Sequence, residues 1–337
     1  SMDRVVGLSA KQSFFETVVC LQQVVAGLGD PHTQVNYHYL IDPGLILPME
    51  AYWFEDGLYI MNTRKEYESV LGARILGINE YPLEQVVDSL STLLAEKHTS
   101  FIRDHVPRIL TWMQVLHYFG FADTSSVSFL LEYPGGGSAR HVLEPGHRES
   151  ELVKVPAEAL PLGWQEQKSF FWHKYFPVDQ TYYIQYNKCW SREAEKLFGS
   201  GGKALFMPSF SEFEKKVLRT VRKKEIHKLV LDLRYNGGGN SLQGSRLVRK
   251  LKKTGIGKKA NIYLIVGRRT SSSAVINAVD LMQAFDVMVL GENSGGKPNH
   301  YGEVKRFVLP QSGLVVSYST RYFTLLDEDK TLTDKQI

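Results

Sequence analysis

Residues 260–296 read ANIYLIVGRRTSSSAVINAVDLMQAFDVMVLGENSGG, with a row of hydroxyl side chains between two apolar segments. The run Ile262–Gly267 predicts a buried strand, and the apolar residues of Val275–Met282 recur at the spacing of a helix. The hydroxyl row Thr270–Ser273 therefore falls where a strand ends and a helix begins. Unpaired N–H groups and the helix dipole favour negative charge at such a junction, so it suits a nucleophilic serine. The alternative is that one of the first two hydroxyls of the row merely caps the helix.

The overall composition indicates a soluble globular protein of more than one domain. A length of 337 residues predicts two domains, and 43% hydrophobic with 23% charged residues is typical of globular chains. The net charge of +4 is modest and marks no dedicated nucleic-acid or membrane binder. Basic clusters at 219–224 and 249–259 flank apolar helical patterns, and we interpret them as solvated helix ends.

Cysteines and hydropathy set further limits on the protein class. Cys20 and Cys189 are too few and too far apart for a disulfide framework or a zinc pattern, so we expect two small buried thiols. No run of 18 apolar residues occurs, so no membrane-spanning helix is predicted. Because the chain contains no His-Glu-x-x-His pattern and no Cys/His cluster, we expect neither a metal nor an organic cofactor.

The second half of the chain alternates strands with helices, which favours an α/β core with both sheet faces covered. The mixed segment 149–167 separates it from the first half and is taken as the main domain boundary. Before the closing hairpin of 304–309 and 315–319, strands are predicted at 181–186, 228–233, 262–267 and 287–290, and helices at 210–224, 242–252 and 275–282.

The first half begins with a helix predicted over Leu8–Leu28, capped by Ser9. The turn Gly29–Thr33 follows and holds His32 in a frame of glycine and proline, although a single loop histidine is most often only solvated.

Short strands are predicted next at 37–41, 51–54 and 58–61. Gly72–Leu90 has the strand, turn and helix order of part of a PDZ module, which binds extended peptides at a strand edge. Any small β-turn-β-α unit is the alternative. A helical region at 100–121, interrupted by Pro107, and a hairpin at 126–144 complete this half, and the predicted domains are 1–48, 49–150 and 151–337.

The glycine run Asn236–Asn240 follows a buried strand and precedes a helix. It lacks the spacing of a dinucleotide-binding or phosphate-binding loop. The N–H groups of Gly237 and Gly238 could instead point into a cleft as the donors of an oxyanion hole, where no Cβ obstructs the approach. A plain loop is the alternative.

A serine needs a base to remove its proton, and three candidates stand out. Lys297 lies on the glycine-rich turn after the next strand, and a lysine buried there could lose its proton. His32 is the second candidate, because histidine is a common general base. His300, on the same turn as Lys297, is the third. The alternative is that Lys297 is an ordinary solvated lysine on a surface loop.

Four motifs that follow one another along the chain resemble those of the tail-specific, C-terminal-processing and tricorn-core family of serine peptidases, including its little-characterised bacterial members. The resemblance spans residues 29–320 and is strongest over 228–320. It implies a crotonase-like (ClpP/crotonase) α/β core, preceded by an α+β region with the PDZ-like module. The motifs are Gly29–Thr33, Asp232–Arg234 with Asn236–Gly239, Thr270–Ala274, and Gly291–Glu292 with Gly295–Lys297.

The family has two catalytic styles, and both are kept as hypotheses. In the processing branch a serine and a lysine form a dyad, which maps onto Ser272 and Lys297. In the tricorn-like branch a histidine is the base, which maps onto His32, although Pro31 stands where tricorn has a helping serine. An acidic residue near 327–328 would then orient the histidine.

We therefore expect a serine peptidase that forms an acyl-enzyme on Ser272, with the N–H groups of Ser273 and of Gly237 or Gly238 holding the oxyanion. The expected partner is an extended polypeptide. A non-catalytic binding protein and a crotonase-type acyl-CoA enzyme are the alternatives. Relatives of this kind are exported or surface-associated in bacteria, so export is expected, with a cytoplasmic location as the alternative.

Overall fold

The computed structural model describes residues 13–146, 152–154 and 160–327. The chain forms two compact units, and the first takes in residues up to Pro156 together with Tyr301–Arg321. The second takes in Ala157–His300 and the residues after Arg321. Segment 301–321, which the sequence analysis assigns to the catalytic core, thus has its contacts in the first unit. The three predicted domain ranges stay predictions.

The first unit is built on a seven-stranded sheet. Its helices are α1 (Phe14–Ala26), α2 (Leu83–Ser91), α3 (Thr99–Ile109) and α4 (Met113–Tyr118). Its strands up to residue 154 are β1 (Gln34–Val35), β2 (Met49–Trp53), β3 (Leu58–Arg64), β4 (Arg74–Ile78), β5 (Tyr81–Pro82), β6 (Val127–Glu132), β7 (Ser138–Leu143) and β8 (Leu152–Lys154). The sheet has the order β2-β3-β4-β6-β7, and β5 pairs with β4 while β8 pairs with β3.

Local signals explain most of these elements. Helix α1 begins with a capping box in which Ser13 accepts from the Glu16 N–H and the Glu16 side chain accepts from the Ser13 N–H. The predicted cap Ser9 lies outside the described residues. Pro107 lies inside α3 without ending it, so the break that the sequence analysis places at this proline is wrong. The helix ends instead at Ile109.

The strand predicted at 37–41 is wrong, because Tyr37–Leu40 forms a short 3-10 helix. Asn36 leaves extended geometry with φ −79° and ψ 60°, and its carbonyl accepts from the Tyr39 N–H. Tyr37 is then buried edge-on against Trp112 at a centroid distance of 5.9 Å. The alternating aromatic residues that suggested a strand therefore lie in a helical turn, which buries only the ring of Tyr37.

The second unit contains a five-stranded sheet. Its strands are β9 (Phe171–Phe176), β10 (Thr181–Tyr186), β11 (Lys228–Asp232), β12 (Asn261–Val266) and β13 (Val287–Gly291). They lie in the order β13-β12-β11-β10-β9, in which β10 to β13 are parallel and β9 is antiparallel to β10. The helices are α5 (Leu162–Gln165), α6 (Arg192–Phe198), α7 (Phe210–Lys223), α8 (Leu242–Lys253) and α9 (Ser273–Ala284), with a 3-10 turn at Ala204–Phe206.

The pairing register brings the carboxyl ends of these parallel strands to one edge of the sheet. Asp232 at the end of β11 pairs with Ile265, and Ile265 pairs with Leu290 of β13. The turns after β11, β12 and β13 therefore begin side by side, where ligands bind in open α/β sheets. Buried apolar side chains of strands and helices form the core beneath them, among them Ile184, Leu231, Leu264, Val217, Leu251 and Ala278.

Two further strands, β14 (His300–Val308) and β15 (Val315–Phe323), carry the chain into and out of the first unit. They form a three-stranded sheet with β1 in the order β1-β15-β14, and the predicted closing hairpin is confirmed. The Asn36 side chain donates to the Val315 carbonyl and to the Ser317 hydroxyl, each at 2.9 Å. Within the described residues, no helix has the length and apolar character needed to cross a bilayer.

Candidate active site

Ser272 stands out at the junction between β12 and α9. It is the N-cap residue of α9 and has φ 51° and ψ −125°, a positive-φ conformation that non-glycine residues rarely adopt. Its side chain makes no capping bond, and its hydroxyl has no hydrogen-bond partner among the described residues. Holding a serine in this conformation costs about 1–3 kcal/mol, and such strain concentrates at functional sites.

The other three hydroxyls of the row are bonded to backbone carbonyls, and none of them caps α9. They tie the turn after β12 to the glycine run after β11. The bonds are Thr270 Oγ1 to Leu233 O (2.8 Å), Ser271 Oγ to Gly237 O (3.2 Å) and Ser273 Oγ to Gly239 O (2.8 Å). Of the row, only the Ser272 hydroxyl therefore remains available for chemistry.

The glycine run lies directly against the hydroxyl row and has no room for side chains at two positions. Gly238 has φ 100°, and an added Cβ would lie 2.8 Å from the Cβ of Ser272. Gly239 has φ 133°, and an added Cβ would lie 2.4 Å from the Cys189 carbonyl oxygen. At Gly237 an added Cβ would meet no atom within 4 Å.

Two N–H groups near Ser272 could hold an oxyanion. Ser273 provides the first N–H of α9, and neither it nor the Gly237 N–H has an acceptor among the described residues. The third predicted donor, the Gly238 N–H, donates to Asn236 Oδ1 at 2.9 Å. The structure thus places all three predicted donors beside the hydroxyl row and leaves two of them open.

Asn236 has a role in the site that the sequence did not predict, although it begins the glycine run. It is fully buried, its Nδ2 donates to the Tyr186 carbonyl at 2.8 Å, and its own carbonyl accepts from the Ser271 N–H at 3.1 Å. With the bond to Gly238, it links β10, the glycine run and the hydroxyl row. An asparagine directly before a glycine run that follows a buried strand is the signal that could have indicated this role.

The turn that carries Lys297 also contacts the hydroxyl row. The Gly296 N–H donates to the Thr270 carbonyl at 2.9 Å, and an added Cβ on Gly296 would lie 2.7 Å from the Ser271 Cα. Lys297 itself is exposed, so the burial on which its role as a base depends is absent in this structure. The ring of His300 contacts the Pro298 carbonyl through Nδ1 at 3.1 Å.

His32 belongs to the first unit, whereas Ser272 and Lys297 belong to the second. Its backbone N–H donates to Asp30 Oδ1 at 3.0 Å, and its ring Nδ1 lies 3.6 Å from the same oxygen. Burial would raise the pKa of the Asp30 carboxyl, but the Thr33 hydroxyl and the His32 N–H outweigh it and hold that pKa below its ordinary value. An ionised carboxylate next to a histidine is an arrangement that can orient the ring.

The remaining candidates are the two acidic residues at 327–328. Asp327 is exposed in the second unit, and Glu328 lies outside the described residues. Cys189 is fully buried, and burial raises the pKa of its thiol to about 12. No cluster of three or more potential metal ligands occurs within residues 13–146, 152–154 and 160–327.

No family model and no curated protein sequence matches this chain. Among solved structures, it is similar to mature CPAF complexed with lactacystin, with a TM-score of 0.60 and 13% identity over 90% of this chain and 79% of that chain. Mature CPAF alone gives a TM-score of 0.59 and 12% identity over 92% and 80%. The photosystem II D1 C-terminal processing protease gives 0.39 and 14% over 92% and 77%.

The likeness to the two CPAF structures extends over nine-tenths of this chain. At such identities a likeness describes the fold and leaves the function to the site. The expected mixed α/β class is confirmed, and the chain shares the fold of the CPAF structures.

Proposed function

We propose that the protein is a serine peptidase of the tail-specific type, which hydrolyses peptide bonds of extended polypeptides through an acyl-enzyme on Ser272. One observation carries the proposal: Ser272 has an unbonded hydroxyl and a strained positive φ at the start of α9, directly opposite the glycine run. A strained strand-to-helix turn that presents a free serine hydroxyl is the geometry of a nucleophile elbow.

In the proposed reaction, Ser272 Oγ attacks the scissile carbonyl carbon while its proton passes to a base. The resulting oxyanion accepts from the N–H groups of Ser273 and Gly237, which are fixed before the reaction and need no reorganisation. Collapse of the tetrahedral intermediate releases the amine, which takes the proton from the base. A water molecule then hydrolyses the ester on Ser272 by the same steps and restores the hydroxyl.

The base is Lys297 or His32. The backbone contacts of Gly296 support Lys297, since they hold its turn next to Ser271. The carboxylate of Asp30 beside the imidazole supports His32. Because Lys297 is exposed, the dyad would require substrate to cover it and exclude water.

The same proposal includes a crotonase-like core in the second unit and a PDZ-like peptide-binding module at 72–90. In the first unit, β4 and β5 followed by α2 retain the strand, turn and helix order that suggested this module. We also propose that the protein acts outside the bacterial cytoplasm, as expected from its resemblance to exported peptidases.

A fluorophosphonate probe tests the nucleophile. Wild-type protein should be labelled, and Ser272→Ala should not. Ser271→Ala is the matched control, because Ser271 is the neighbouring hydroxyl and is bonded to the Gly237 carbonyl, so labelling should persist. Absence of labelling in folded wild-type protein, combined with retained peptide binding, would indicate the non-catalytic binding protein instead.

The base is assigned by comparing Lys297→Ala with His32→Ala in turnover of an unfolded polypeptide. Loss of the base should lower kcat by a factor of about 10²–10⁴. Whichever variant keeps substantial turnover is excluded as the base. If both variants keep it, neither residue takes the proton, and this part of the proposal is wrong.

A further inference from the structure

Four large apolar side chains of the second unit are exposed within ten residues of one another. We call Leu197, Phe198, Leu205 and Phe206 the apolar patch; their exposed fractions are 75%, 59%, 80% and 89%. The first two end α6, and the other two lie on the 3-10 turn after the glycine-rich segment 199–203. Exposed clusters of this kind mark binding surfaces for proteins or membranes.

The segment that carries the apolar patch is held by internal bonds, so the exposure is part of the fold. The Glu195 carboxylate accepts from Trp190 Nε1 at 2.9 Å and from the Ser200 hydroxyl at 3.1 Å. The Glu193 carboxylate accepts from the Ser209 hydroxyl and from the Phe210 N–H. These bonds hold both carboxylates within the protein, and the Glu195 side chain is buried.

The segment also carries two exposed positive charges beside the apolar patch. Lys196 precedes the first pair of apolar residues and Lys203 precedes the second by one residue, and both lysines are exposed. Neither lysine lies within ion-pair distance of a carboxylate in the described part of the chain, although the charge of Lys203 acts on the Glu195 carboxylate. Leucine and phenylalanine bordered by lysine is the composition of surfaces that lie in the interface of an anionic membrane.

We propose that the apolar patch docks the protein on the surface of an anionic phospholipid membrane, with the four side chains entering the headgroup region and both lysines at the phosphates. A second copy of this chain fits less well. Four side chains supply much less than the roughly 800 Å² per partner that a standard interface buries. A two-fold contact would also bring equivalent lysines of the two copies close together.

Sedimentation with lipid vesicles tests this proposal on the full chain. Wild-type protein should bind vesicles containing about one third phosphatidylglycerol and bind pure phosphatidylcholine at least about tenfold more weakly. The double variant Leu205→Ser/Phe206→Ser should bind the anionic vesicles at least about tenfold more weakly than wild type. Val178→Ser is the matched control, since Val178 is 94% exposed between β9 and β10 and should leave binding unchanged.

Charge is tested separately with Lys196→Gln/Lys203→Gln, which should weaken binding to the anionic vesicles and leave the weak binding to phosphatidylcholine unchanged. Circular dichroism should show the wild-type fold in every variant. Wild-type protein that fails to bind the anionic vesicles would overturn the proposal. So would a dimer in sedimentation velocity that the Leu205→Ser/Phe206→Ser variant converts to monomers, because the patch would then join two copies.

Discussion

The backbone of Gly238 faces Ser272 so closely that a methyl group at Gly238 would lie 2.8 Å from the Ser272 Cβ. Gly238→Ala must therefore displace the serine, and its φ of 100° adds strain of about 1–3 kcal/mol. We expect fluorophosphonate labelling to fall at least about tenfold, since small displacements of a nucleophile are costly. Thermal unfolding should show a matching loss of stability.

Gly237→Ala is the control for that experiment. The residue lies in the same run, its φ is not positive, and an added methyl group would meet no atom within 4 Å. Its stability should stay within about 0.5 kcal/mol of wild type. Equal destabilisation by both variants would contradict the close approach of Gly238 to Ser272.

A second prediction concerns the strain at Ser272. Glycine adopts φ 51° and ψ −125° without the steric conflict of a side chain, whereas alanine keeps that conflict. Ser272→Gly should therefore be more stable than Ser272→Ala by about 1 kcal/mol, although neither variant should react with the probe. Denaturant unfolding measures the difference, and a less stable glycine variant would show that the turn is unstrained.

A third prediction uses the buried thiols. Burial raises the pKa of Cys189 to about 12, so its thiol stays protonated at pH 8. Cys189 and Cys20 are both buried and are therefore inaccessible to a reagent in the native protein. Native protein should react negligibly with a thiol reagent such as DTNB, and two thiols should react after denaturation. Inactivation of the proposed peptidase by iodoacetamide at the same pH would contradict serine-based chemistry.

A fourth prediction concerns acid stability. Burial raises the pKa of Glu193, but the Ser209 hydroxyl and backbone N–H groups, including that of Phe210, outweigh it and lower the pKa to about 2. A lowered pKa stabilises the fold above the ordinary value of 4.5, and that contribution is lost as the pH falls towards 2. Glu193→Gln should therefore be less stable than wild type at pH 7, and the two should converge between pH 4.5 and 2. A constant difference across that range would argue against an ionised Glu193.

Periodicity predicts the four parallel strands and the three long helices of the second unit, but it does not predict β9, α5 or α6. Predicted limits at 210–224 and 242–252 agree closely with α7 (Phe210–Lys223) and α8 (Leu242–Lys253). The same rules fail at Tyr37, where an alternating aromatic pattern resembles a strand but the Asn36 backbone turns the chain into a 3-10 helix. The backbone angles of one residue do not affect the hydropathy pattern, so that pattern could not reveal this turn.

The candidate site shows a similar division. Motif order is enough to bring the hydroxyl row, the glycine run and the Gly296 turn together, and the structure places these segments in contact. The positive φ of Ser272 and the side-chain bonds of Asn236 depend on tertiary contacts that no local pattern encodes. The exposure of the apolar patch could not be predicted from the sequence either, because leucine and phenylalanine are normally buried in a core.

The route of the chain through β14 and β15 has a consequence for dissecting the molecule. Because Tyr301–Arg321 belongs to the first unit while its flanking residues belong to the second, neither unit is one continuous length of polypeptide. A fragment beginning at Ala157 would carry β15 without β1, and would lose the Asn36 bonds to Val315 and Ser317. A bare strand edge of that kind invites aggregation, so a protein truncated to begin at Ala157 should be insoluble.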